Sequence, residues 1–244
     1  MKTTIRQVIG GGACDPSGRL SLLGALTLVE DVVIDTLDRM DVNGFNLCKK
    51  YGAVLVFSKN HIKFYQPIRW REKVSIACFV STKSVARLNV DVCVKNEQGV
   101  IAMYARTEVC AVDVESARLR RLDTVGIGEK IRVYRALAEI EWQQIDKADT
   151  LIDTLTVRTS NIDYAGHTNN IEYIRMLLNT FTLEEWSGGI VPRELQIAYV
   201  SQSFLNDELS IYAMNRNDEG IALNERLYTI KKGEQDVLRC ALRW

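Results

Sequence analysis

The sequence predicts an α+β protein of two tandem units, each an antiparallel sheet wrapped around a long helix. Three observations predict it: an internal repeat, an amphipathic helical run near the start of each copy, and a succession of β-rich segments after each run.

The repeat comes first, because a missed repeat misreads the whole fold. Ile62-Lys63-Phe64-Tyr65, ending at Val74-Ser75-Ile76, aligns without a gap on Ile197-Ala198-Tyr199-Val200, ending at Leu209-Ser210-Ile211, at an offset of 135 residues. Phe64 falls on Tyr199 and Glu72 on Asp207. A second pair, Asp15-Pro16-Ser17-Gly18-Arg19 and Asp163-Tyr164-Ala165-Gly166-His167, stands at an offset of 148. Each D-x-x-G segment opens a helical run. Leu22, Leu23, Leu26, Val29, Val33 and Leu37 follow the first, and Ile171, Ile174, Leu177, Leu178 and Phe181 follow the second, at the spacings of one helix face.

Segments rich in Val, Ile, Tyr and Phe then predict strands. In the first copy they are Ala53–Tyr65, Lys73–Val80, Arg87–Lys95 and Val100–Val112. In the second they are Leu195–Val200, Glu208–Met214, Ala222–Thr229 and Val237–Arg243, with Leu151–Arg158 ahead of the helix. Asn96–Gly99 and Asn215–Gly220 predict hairpin turns. The joint Val114–Thr150 carries Arg118-Leu119-Arg120-Arg121 and Gly126-Ile127-Gly128, and its composition predicts a connecting helix over Arg135–Lys147. A helix wrapped by an antiparallel sheet is the hotdog arrangement. The expected organisation is a hotdog domain over 1–125, a linker over 126–149 and a second hotdog domain over 150–244.

Lys plus Arg equals Asp plus Glu at 31 each, so nothing in the bulk charge suggests a nucleic-acid partner. Six cysteines without a C-x-x-C pair, and only two histidines, argue against a structural zinc site. The start lacks the apolar core of a signal peptide, and no apolar run has membrane-spanning length. The expectation is a cytoplasmic protein with reduced cysteines, without cofactor or membrane partner.

The segment Asn161 to Asn170 is dense in small and polar groups and lies between a strand and a helix. It puts Asp163 in a loop and His167 near a helix N-terminus, where amide N–H groups and the helix dipole favour an anion. A carbonyl over these amides would have its developing oxyanion stabilised, and Asp163 could act as general base or nucleophile. The same residues also read as an N-cap and a turn. His61, beside Lys59 and Lys63, reads as an exposed or partly buried strand residue.

Arg158, Asp163, His167, Asn169, Asn170 and Tyr173 resemble the motif R-x-x-D-x-D-x-N-x-H-x-N-N-x-x-Y of acyl-ACP thioesterases. The order of units extends the resemblance over nearly the whole chain. It implies hydrolysis of acyl-ACP to free fatty acid, with Asp163, His167 and Gln202 catalytic and Asn161, Gly166, Thr168 and Asn169 binding substrate. The chain departs from the motif at Ala165 in place of asparagine and at Asn161 in place of the first aspartate. Where the family carries a further acid, this chain has Gln202 or Ser203; Gln202 could orient a water but is no base. Arg19 stands at the first unit's equivalent of His167, so that unit is expected to have lost its own site and to hold the acyl chain. Leu22, Leu23, Leu26 and Ala53–Phe57 are candidates for that pocket, but such residues are more often plain core. The acidic acyl carrier protein is the expected partner, with Arg118, Arg120 and Arg121, or Arg69, Arg71 and Lys73, as candidate docking charges. A homodimer is a further expectation. An acyl-CoA thioesterase and a non-catalytic acyl-binding protein remain alternatives; a dehydratase fits the D-x-x-G-H context less well.

Overall fold

The computed structural model describes residues 2–42, 44–128, 130–188, 191–216 and 224–244. Helix α1 (Leu22–Asp38) begins where the Ser21 hydroxyl accepts the Gly24 N–H at 2.9 Å. That is an N-cap, and it satisfies one of the donors a helix start leaves free. Leu26, Val29 and Val33 are fully buried, so the predicted stripe is the face laid on the sheet. In the second unit α3 (Asn170–Leu178) has the same placement, capped by Asn169, and it packs against α1. Two short helices, α2 (Gly44–Tyr51) and α4 (Leu183–Gly188), follow them.

The first unit supplies strands β1 (Lys2–Val8), β2 (Ala53–Phe64), β3 (Lys73–Lys83), β4 (Arg87–Lys95) and β5 (Ile101–Asp113). The second supplies β6 (Thr150–Thr156), β7 (Glu194–Tyr199), β8 (Glu208–Arg216), β9 (Glu225–Lys232) and β10 (Gln235–Arg243). They form one ten-stranded sheet in the order β1-β3-β4-β5-β2-β7-β10-β9-β8-β6, antiparallel throughout. Each half repeats the other, and this is the tandem hotdog fold. Strand β1 was not predicted, because K-T-T-I-R-Q-V is mostly polar and exposed, and neither was α2. The turn at Asn96–Gly99 is present, closed by Gly99 N–H to Asn96 C=O at 3.0 Å. Of the second predicted turn, 217–220 lie outside the described residues, as do 222 and 223 of the predicted strand over Ala222–Thr229.

The halves meet at β2 and β7, where Lys59 pairs with Ala198, His61 with Gln196 and Lys63 with Glu194. At an offset of 135 residues, His61 corresponds to Gln196 itself, and the flanking pairs exchange places. A pseudo-two-fold axis therefore runs through the His61–Gln196 pair. His61 is buried at 1% exposure, which corrects the expectation of an exposed or partly buried strand residue. Its Nδ1 meets the Glu141 carbonyl at 2.9 Å and its Nε2 meets the Glu194 carboxylate.

The helix predicted over Arg135–Lys147 is absent: the segment is an extended strap across the outer sheet face. Its backbone groups bond the sheet's side chains instead of one another. Arg106 donates to the Ile140 carbonyl at 2.7 Å, Gln196 donates to that of Gln143, and the Ala148 N–H donates to Thr229 Oγ1 at 2.9 Å. Ile140, Ile145 and Ala148 are buried by it. Helix-forming composition yields here to that tertiary pairing.

The start of α1 lies hard against the short 3-10 turn Gly11–Ala13. The Ala13 carbonyl accepts both the N–H and the hydroxyl of Ser21, at 2.9 and 3.0 Å. A Cβ on Gly24 would stand 2.2 Å from that oxygen, so only glycine fits. Gly24→Ala is expected to cost about 1–3 kcal/mol as an overpacked contact, read as a lower urea midpoint with an unchanged slope.

Candidate active site

The loops before α1 and α3 are built from the same hydrogen bonds. Asp15 N–H donates to the Arg19 carbonyl at 2.7 Å, and Asp163 N–H to that of His167 at 3.0 Å. Gly18 and Gly166 close the turns onto Asp15 and Asp163, with φ of +74° and +84°. Those values favour glycine. One carboxylate oxygen of each aspartate accepts the backbone N–H two residues on, at 2.9 Å for Ser17 and 2.8 Å for Ala165. Leu20 N–H meets the Ile68 carbonyl at 2.7 Å as Thr168 N–H meets that of Ser203 at 2.8 Å. The loops thus share one backbone and differ in their side chains.

In the second loop Asp163 Oδ1 is engaged by Ala165, and Oδ2 faces His167 Nδ1 at 3.4 Å. Both side chains are partly exposed, at 18% and 28%, so the pair is reachable from solvent. Arg19 makes the corresponding contact to Asp15 at 3.4 Å, but a guanidinium has no acceptor nitrogen and cannot relay a proton as an imidazole does.

Asn161, Thr168 and Asn169, expected to touch substrate, each have a building role. Asn161 accepts the Arg158 N–H at 2.8 Å and donates to Glu172 at 3.0 Å. Asn169 caps α3 through the Ile171 N–H at 2.9 Å. Thr168 is buried, with its hydroxyl 2.7 Å from that of Ser203, which in turn lies 2.8 Å from the Tyr173 hydroxyl. Gly166 is exposed at the turn. Gln202 is exposed beside Ser203 on the adjoining loop, which reaches the site through the Thr168–Ser203 bonds. Ser203 is the member sequence reasoning did not select; its polar character where the first unit has Ile68 was the available signal.

Tyr164, 90% exposed, stacks on Phe45 of α2 with ring centroids 6.2 Å apart, so the first unit reaches over this loop. A cavity of about 820 Å³ lies at the other loop, between Asp15, Leu23 and Thr27 and the α3 residues Ile171, Arg175 and Leu178; neither Asp163 nor His167 lines it. Of the candidate docking charges, Arg120 and Arg121 are ion-paired to Asp113 and Asp123 at 2.9 and 2.7 Å. Arg69, Arg71 and Lys73 are exposed but lie beside the first loop, where Arg69 bridges Arg19. Among the described residues no cluster of His, Cys, Asp and Glu is placed to hold a metal, and no helix is long and apolar enough to cross a membrane.

Ser203→Ala would take one hydrogen bond from each of the buried Thr168 and Tyr173 hydroxyls, which keep their bonds to the Ser203 carbonyl and N–H. The expected cost is about 1 kcal/mol, measured by urea unfolding, with the Thr168→Val, Ser203→Ala double variant costing less than the sum of the two single variants.

Residues 144–244 match the family model of the acyl-ACP thioesterase C-terminal domain. Comparison with curated proteins gives no match. An acyl-ACP thioesterase from Bacteroides thetaiotaomicron superposes with a TM-score of 0.81 at 21% identity, covering 99% of this chain and 96% of that one. The 12:0-ACP thioesterase from Umbellularia californica superposes with a TM-score of 0.85 at 16% identity, covering 100% of this chain and 93% of that one. The tandem hotdog fold therefore spans the whole chain, and its second unit, which carries the Asp163–His167 loop, matches the acyl-ACP thioesterase C-terminal domain.

Proposed function

We propose that this protein hydrolyses the thioester of acyl-acyl carrier protein, in the cytoplasm, and releases free fatty acid. The observation that carries the reading is the Asp163–His167 pair at the start of α3, in a loop whose first-unit copy has the same backbone but no histidine. The proposed organisation is a first hotdog over 1–125, a linker over 126–149 and a catalytic hotdog over 150–244. Both loops and both helices belong to one chain, so a second copy is not needed to complete the site.

The chemistry follows from which atoms are free. Asp163 Oδ1 holds the turn, which leaves Oδ2 to take a proton from water as the water oxygen attacks the thioester carbonyl. The resulting oxyanion lies against the first turn of α3, where a helix start offers N–H groups and a positive dipole end. As the C–S bond breaks, His167 gives its proton to the departing thiolate and recovers one from Asp163. Gln202, exposed at the rim, orients the water. Asn161, Gly166, Thr168 and Asn169 shape the substrate's seat through the loop they hold.

The test is free-thiol release from acyl carrier proteins loaded with a range of chain lengths, with acyl-CoA as the parallel substrate. Asp163→Asn keeps the turn's hydrogen bond and removes the base; His167→Ala removes the proton donor. Each is expected to lower kcat at least about a hundredfold, and Gln202→Ala about tenfold. Folded wild-type protein that releases no thiol from any acyl carrier or acyl-CoA would overturn the reading, and would make Ala165 and Gln202 the marks of a retired site in an acyl-binding protein.

A further inference from the structure

We propose that Glu30, on the first unit's helix, is a positioning residue of the second unit's site, acting through Asn170 at the start of α3 and through the charge of Asp163. The proposal deepens the hydrolase reading and rests on it.

Glu30 lies on the buried face of α1, at 7% exposure, among Leu26, Val29 and Val33. The side chain of Asn170, first residue of α3, lies close enough to favour its charged form, and Asn60 Nδ2 on β2 approaches Oε1 at 3.5 Å. Asn60 is itself held by Thr107 of β5 at 2.6 Å and neighbours the Tyr199 hydroxyl of β7 at 3.4 Å. The titratable groups coupled to Glu30 are Asp31 of its own helix, Asp163 of the loop before α3 and the buried Tyr199 phenol of β7; among the described residues no cation joins them. It is a buried carboxyl with amide neighbours and a second carboxylate nearby.

The repeat shows that the fold does not require this arrangement. At the offset of 148, Glu30 corresponds to Leu178 and Asn170 to Leu22. At the offset of 135, Asn60 corresponds to Leu195, Thr107 to Leu242 and Tyr199 to Phe64. The strand register agrees: Asn60 pairs with Thr107 on one side of the axis as Leu195 pairs with Leu242 on the other. Every member of the cluster is apolar at its counterpart, and Leu178 faces the first loop, where Arg19 replaces the histidine. The carboxyl thus sits opposite the loop that has the histidine, and leucine opposite the loop that lacks it. A buried polar cluster costs stability relative to packed leucine, so its confinement to the histidine side points to the site.

Burial pushes the Glu30 carboxyl up to about 8, and the charges of Asp31 and Asp163 push the same way, against the Asn170 and Asn60 hydrogen bonds. At neutral pH it is a neutral acceptor that steadies Asn170, and Asp163 is left as the nearer negative charge. Above that range a second carboxylate acts on Asp163 and on the turn that faces the oxyanion, and the transition state is disfavoured. A carboxyl raised in the folded state also contributes stability that is fully present below its unfolded value, near 4.5, and lost as pH rises to about 8.

Two measurements on the full chain test this: kcat and KM against pH, and Tm against pH, for wild type, Glu30→Gln, Glu30→Leu and Asp163→Asn. Wild-type kcat is expected to fall about tenfold one pH unit above a midpoint near 8. Glu30→Gln is expected to lower kcat several-fold at pH 7 with KM little changed and to lose that alkaline fall, and Glu30→Leu to lower kcat further. The wild-type Tm is expected to decline relative to Glu30→Gln between pH 4.5 and 8, with the midpoint of that decline lower in Asp163→Asn. An alkaline fall unchanged in Glu30→Gln would overturn the proposal, and so would complete loss of turnover in folded Glu30→Gln, which would make Glu30 a reacting group. If wild type releases no thiol, the hydrolase reading fails by itself. The Tm series still decides the coupling: a midpoint unmoved by Asp163→Asn overturns it.

Discussion

The antiparallel pairing of β2 with β7 about His61 and Gln196 is the constraint on which the molecule depends. It joins two half-sheets into one and turns each unit's loop toward the other unit's helix. The pairing buries an imidazole and an amide on the outer face, and buried polar groups must be hydrogen-bonded. The strap meets that demand: its Glu141 carbonyl and Gln143 backbone serve His61 and Gln196. A helical linker would have spent those backbone groups on itself and left the junction unsatisfied.

Pseudo-symmetry then gives the chain two places for a site, and the two have diverged in opposite directions. On one side Thr168, Tyr173 and Ser203 form a hydroxyl chain, with Glu30, Asn60 and Asn170 beyond it. The counterparts of the hydroxyl chain, at the same offsets, are Leu20, Ala25 and Ile68. The apolar side supplies packing with no desolvation cost, while the polar side holds groups that can respond to charge. A homodimer of identical units could not divide the tasks this way, since every substitution would appear on both sides of its axis.

The architecture was legible because hydrophobic periodicity and the repeat are local signals: β4 spans the predicted residues, and the apolar stripes of α1 and α3 are the buried ones. The strap was misread because Arg135–Lys147 carries helix-forming residues whose hydrogen-bond partners lie up to about a hundred positions away, as Gln143 with Arg243 does. The Asp163–His167 loop was legible as a motif; Ser203 and Glu30 were not, because a lone Ser on a loop or a lone Glu in a helical stripe has no local signature. The repeat contained the missing signal for both, in the polar residues that replace Ile68 and Leu178, but only once the two copies are compared position by position.

That comparison also separates what a motif says about folding from what it says about chemistry. Asp15 and Gly18 stand where Asp163 and Gly166 do and build the same turn, with the aspartate oxygen holding the backbone and the glycine taking positive φ. A match at these two positions therefore argues for the loop and not for a reaction. His167, Thr168, Asn170 and Tyr173 distinguish the second loop, since the first unit has none of them in place. Asp163 belongs to both groups: one oxygen repeats the task of Asp15, and the other is free to act because its partner is an imidazole, which can pass a proton on. Under the proposed hydrolysis, the difference between the two loops thus reduces to what faces the second carboxylate oxygen.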